Sequence, residues 1–137
     1  QGGAEGILVP SGQLSPTDDH AEVKQFREEL MATDSDATPS ANALQAWAAA
    51  KMLYHQMATI EGEITAASVL EAMSSITTPP TEVFGPMYDT TEDQPFADNN
   101  RLFNTNAFEY VVRDGEIVRK RPEAISLNEV LETALAE

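Results

Sequence analysis

The stretch that most constrains the fold is "TPSANALQAWAAAKMLYHQMATIEG", Thr38 to Gly62, the strongest helical signal in the chain. Thr38 suits a cap, Pro39 fits the first helical position, where its missing N–H is no loss, and Gly62 suits the far end. Ala43, Ala46, Ala50, Leu53, Met57 and Ile60 recur at heptad spacing, and Leu44, Trp47 and Ala48 widen the stripe. So many alanines on the inner face let a neighbour's backbone approach closely. The repeat is too short for a coiled coil and lacks flanking charged positions, so it reads as a core helix.

A core helix needs covering elements, and the flanking segments supply them. "EGILVPSG" contains an apolar run, Ile7 to Val9, between Gly6 and Pro10, which reads as a short buried strand. In "LSPTDDHAEVKQFREELMA", Asp19 with Glu22 forms a capping box, and Val23, Phe26, Leu30 and Met31 share one helical face. "TAASVLEAMSSI" is a third helix, capped by Thr65, with Val69, Met73 and Ile76 inward, and Pro79-Pro80 stops it. Beyond the prolines the helical period ends. Val83-Phe84 and Met87-Tyr88 read as brief extended pieces around Gly85-Pro86, and "DTTEDQPFADNNRLFNTN" as a polar loop. "AFEYVVRDGEIVRK" alternates on both sides of Asp114-Gly115, a strong hairpin signal because that turn needs positive φ angles. Last, Ser126 with Glu129 caps a helix whose Leu127, Val130, Leu131 and Leu135 lie on one side.

At 137 residues and 42% hydrophobic content the chain has enough apolar material for one core. Its formal net charge of -15 repels phosphate backbones and anionic headgroups, which excludes nucleic acid and acidic membranes as partners and reads as a solvated surface. With no cysteine there is no disulfide, thiolate metal site or cysteine nucleophile. The longest apolar run, near Ala46 to Leu53, is broken by Lys51 and is too short to span a bilayer. The stretch from Gln1 shows no charged, then apolar, then small-residue pattern, so any export signal is expected to have been removed or to lie upstream, and the chain reads as a processed or excised piece.

No residue pattern carries a catalytic reading. Ser11 follows a strand, but a nucleophile elbow wants glycine two before and two after it, where this chain has Val9 and Gln13. His20 and His55 lie on helices with no evident orienting partner. Asp18, Asp19 and Glu22 beside His20 are explained as cap and dipole partners rather than metal ligands. The acidic stretch from Asp89 to Asp98 lacks the spacing and the closing glutamate of an EF-hand. Gly2, Gly3 and Gly6 precede a strand, whereas a phosphate-cradling loop must follow one. No carboxylate pair is singled out by an apolar setting.

The order of elements is more telling than any single residue. "AEGILVPSG" followed by an acid-capped helix, "ANALQAWAAAKMLYHQM", "FGPMYDT" and "FEYVVRDGEIV" together resemble the C-terminal portion of type I periplasmic binding proteins. Within that group they look like the branched-chain amino acid class of ABC-transporter substrate-binding proteins. The resemblance runs from Ala4 to Val118, and the last helix goes beyond it. It implies an α/β fold that is part of a two-lobe structure, here a strand, three helices, a β-hairpin section and a C-terminal helix. Residues 1–137 would be a single module, a C-terminal fragment with hinge crossings near 9–12 and 100–107.

The implied function is not enzymatic. Such proteins close two lobes over an amino acid or similar small polar solute and present it to the membrane permease of an ABC importer. No cofactor is implied. The setting is export, periplasmic or lipid-anchored at the cell surface. Ser11, Gln13 and Ser40 are the positions implied to face the ligand. The family often places an aromatic contact shortly before the long helix. Here "DSDATPS" stands instead, which favours a polar or cationic ligand. Gly85 would supply a backbone shape few residues tolerate and Pro86 would stiffen the turn. A fragment with unpaired strand edges is expected to dimerise, and one with half a cleft to bind amino acids weakly or not at all. The alternative readings are a stand-alone acidic interaction or dimerisation domain, or a small hydrolase working through carboxylates.

Overall fold

A computed structural model of the chain describes residues 4–86, 88–91, 103–128 and 133. They form a small α/β domain with three helices and an antiparallel sheet of four strands. The sheet is built on the hairpin. Asp114 (φ 53°) and Gly115 (φ 82°) are both left-handed, and they join β2 (Asn106–Arg113) to β3 (Glu116–Arg119) with Val112 opposite Ile117. The first strand, β1 (Leu8–Ser11), pairs antiparallel with β2, Ser11 lying opposite Phe108. A short β4 (Ile125–Ser126) pairs with the start of β2.

Two expectations about these strands change. The segment from Ile7 is not a buried strand: Ile7 and Leu8 are about half exposed, at 50% and 53%. It pairs on one side only, which is where a sheet tolerates Pro10. Val83-Phe84 is not extended but turns, and Tyr88 makes a single antiparallel bridge to Asn104. Met87 lies outside the described residues, as does most of the helix expected after Ser126. Ser126 itself closes β4, its Oγ accepting the Asn128 N–H.

All three helices form, with shifted details. The first, α1 (Ala21–Thr33), starts one residue later than expected: the N-cap is His20 rather than Asp19, and its Nδ1 accepts the Glu22 N–H at 3.3 Å. Asp19 instead pairs with Lys24. The second, α2 (Ala41–Ala58), is capped by Ser40, whose Oγ accepts from Ala43 N, so Thr38 and Pro39 stand outside it. It ends at Thr59, and Gly62 (φ 105°) lies beyond in the turn. Its buried face is Leu44, Ala48, Met52 and Gln56, while Ala46, Ala50 and Leu53 face solvent. The third, α3 (Ala66–Met73), has the expected Thr65 cap, closed into a box by Ser68.

The core is Leu14, Val23, Phe26, Leu44, Ala48, Val83, Phe108 and Tyr110. Each large member contributes about 1.5–3 kcal/mol by leaving water. Val83 comes from the turn before Gly85-Pro86, so that turn plugs the core. It is tied there by Leu14 N–H donating to Val83 O at 2.8 Å. Gly85 has φ 81°, and a Cβ at this position would lie 2.7 Å from Asn106 Cγ. Glycine is required twice over, by conformation and by room.

Glu22 anchors the other side of the same turn. It accepts from Thr81 Oγ1 and from the Glu82 amide, and it pairs with Lys51 of α2. Burial pushes Glu22 up, but the hydrogen bonds from Lys51, Thr81 and Glu82 outweigh it and hold the carboxyl below its usual range.

Candidate solute-binding groove

Where β1 ends, the chain turns and meets the start of α2. Ser11 makes the turn itself: its Oγ donates to Gln13 O at 2.7 Å and accepts the Gln13 N–H. Gln13 then crosses to the helix, Nε2 donating to Ala41 O at 2.8 Å. Asn104, just before β2, donates from Nδ2 to Gly12 O at 2.8 Å and accepts from the Asn106 amide. Asn106 is buried, and its Nδ2 holds Phe84 O. This chain of amides welds β1, β2 and the Gly85 turn together.

The weld forms one wall of a groove of about 640 Å³. It is lined by Ser11, Gly12 and Gln13 where β1 ends, by Ala41, Asn42, Gln45, Ala49 and Met52 of α2, by Met73 of α3, and by Phe84, Tyr88 and Asn104. Phe84 and Tyr88 lie nearly parallel, with centroids 6.3 Å apart, and Phe103 continues the row. Burial raises the Tyr88 pKa above its ordinary 10, which keeps the phenol protonated at neutral pH.

Of the three residues implied to face a ligand, Ser11 and Gln13 line this groove and Ser40 does not. The Ser40 hydroxyl is occupied as a helix cap. Ser11 spends its hydroxyl on its own turn, whereas the Gln13 oxygen has no partner among the described residues. Asn42, Gln45, Tyr88 and Asn104 were missed by the sequence reading. Asn42 and Gln45 follow the Ser40 cap at helical spacing, a signal that existed but looked like ordinary helix surface. Asn104 had none beyond the alternation in "NTN".

A second polar cluster lies away from the groove. His20 does have an orienting partner: Nε2 lies 2.7 Å from Glu82 Oε2, and since Nδ1 accepts the Glu22 amide, Nε2 is the donor. Asp18 is buried; its Oδ1 accepts the His20 N–H, and its Oδ2 accepts from Tyr110 OH at 3.0 Å and lies 3.0 Å from Arg119 Nε. Tyr110 OH in turn accepts the Ser15 N–H at 2.7 Å. The bonds of His20 to Glu82, of Asp18 to Tyr110 and Arg119, and of Ser15 to Tyr110 join the segment leading into α1 to the Gly85 turn or to the hairpin, so the cluster fastens elements together. Its serine is occupied locally, Ser15 Oγ lying 2.9 Å from Thr17 Oγ1.

No protein-family model, curated protein or solved structure matches the chain. No helix among the described residues is long and apolar enough to cross a membrane.

Proposed function

We propose that this chain is a solute-binding component of an ABC importer, holding an amino acid or similar small polar solute in the groove at the end of β1. In this reading it is exported, it performs no chemistry on the solute, and lobe closure presents the solute to a membrane permease. The observation that carries it is the meeting of two distant stretches. Asn104, in the described part of 100–107, donates from Nδ2 to Gly12 O, at the end of 9–12, and Ser11 pairs with Phe108 just beyond. A hinge between two lobes needs two such stretches side by side, and this contact is what supports the reading. The groove opens beside them, with an apolar floor and a few convergent polar groups, as small-molecule sites do.

The test is thermal denaturation of the chain against a panel of free amino acids, small amides and sugars. One class of solute is expected to raise Tm saturably at millimolar concentration. At ten times Kd the gain is about 1.4 kcal/mol, a shift of a few degrees. No shift with any solute overturns the proposal that this groove holds the solute and leaves the expectation that half a cleft does not bind.

A second reading, a dimerisation domain, is favoured by one observation. Ile7 and Ile117 are exposed at 50% and 48% on either side of Val112, at the open end of the sheet.

A further inference from the structure

If the groove is the solute site proposed above, its chemistry narrows the solute. We infer that it receives an uncharged planar group that both donates and accepts hydrogen bonds, a carboxamide or a neutral nitrogen heterocycle, rather than a charged head or a cationic side chain.

The argument begins on α2. Asn42 and Gln45 are three residues apart, so their side chains share one helix face, and both line the groove. Among the described residues neither carboxamide has a hydrogen-bond partner, and nor does the Gln13 oxygen. A carboxamide offers a donor and an acceptor together, in one plane. Two of them along a wall match the edge of a solute with the same alternation. Phe84 and Tyr88 line the same groove and pair with each other, adding aromatic surface to which a flat group is better suited than a tetrahedral one.

Charge points the same way. The chain carries a net charge of -15, yet no described residue lining the groove is charged at neutral pH, and Tyr88 is protonated there. An ammonium or guanidinium entering here would lose water and meet no counter-charge among the described lining residues. This runs against the cationic ligand favoured by "DSDATPS" in the sequence.

The experiment is a 1H–15N NMR titration of the 137-residue chain, following the side-chain amide signals of Asn42 and Gln45. The probes are nicotinamide and uracil as neutral planar amides, leucine as a zwitterion and arginine as a cation. Nicotinamide or uracil is expected to shift both signals saturably, and leucine and arginine to leave them in place. Asn42→Ala with Gln45→Ala changes two exposed helix positions, keeps the fold by its backbone spectrum, and weakens binding at least tenfold. Asn42→Asp with Gln45→Glu, nearly isosteric, reverses the preference towards arginine.

Leucine or arginine moving the two signals as strongly as the amides overturns the inference and leaves the solute-binding function standing. Undiminished binding by the alanine pair also overturns it. No probe moving any groove signal overturns the inference, and together with no Tm shift across the wider panel it overturns the groove as the solute site as well.

Discussion

The Tyr110 hydroxyl is the most consequential single group outside the groove. It accepts from Ser15 N and donates to Asp18, and burial, with the Asp18 carboxyl adding to it, raises its pKa from the usual 10 to about 12. Tyr110→Phe deletes both bonds and leaves a buried carboxyl and an amide short of a partner. The expected cost at neutral pH is roughly 1–3 kcal/mol, read from urea midpoints. The pH dependence has a definite sign. The folded pKa is raised, so the unfolded chain loses its phenolic proton first, and the stability held below pH 10 is lost as pH climbs through about 12. The gap between wild type and Tyr110→Phe is expected to stay constant to pH 10 and then narrow. A gap unchanged to pH 12 would show that the phenol titrates normally.

At the scale of elements, α2 is the instructive case. Its sequence supports more than one apolar stripe, because alanine stands at so many positions that periodicity alone leaves the buried face undecided. Tertiary contacts decide it. Lys51 reaches Glu22 of α1, and the Trp47 ring tilts against Phe26 with centroids 6.0 Å apart, which turns Leu44, Ala48, Met52 and Gln56 inward. Leu44→Ala is therefore expected to cost about 2–5 kcal/mol. Leu53→Ala, on the heptad stripe but 41% exposed, should stay within about 0.5 kcal/mol. Equal losses in paired denaturation curves would restore the heptad face. The start of α1 moved for a similar reason: Asp18 is drawn into the core by Tyr110 and Arg119, and His20 takes over the cap.

For the whole molecule, charge and apolar surface oppose each other. A net charge of -15 drives copies apart, while Ile7, Leu8 and Ile117 are exposed together at one end of the sheet. Salt screens the repulsion but not the apolar attraction. If the chain is a dimerisation domain, sedimentation should show monomer at low salt and dimer at high salt. Ile7→Lys with Ile117→Lys should abolish the dimer. A monomer at high salt and high concentration removes that reading and leaves solute binding alone. Pro10 in β1 works against strand pairing, because an edge strand containing proline is one donor short.

What the sequence determined by itself was whatever rests on neighbours a few residues apart: the Asp114-Gly115 hairpin, the Thr65 cap, the positive φ of Gly85 and the existence of three helices. These follow from backbone sterics and short-range hydrogen bonds, which the local sequence carries in full. The tertiary structure decided which face of α2 is buried, which residue caps α1, and that Asn104 and Asn106 weld the groove wall to Gly12 and Phe84. It also decided that Ser11 and Gln13 share a groove with Asn42, Gln45 and Tyr88, while Ser40 turns away. Those outcomes depend on partners such as Asp18 and Tyr110, 92 residues apart, which meet only when the whole core closes.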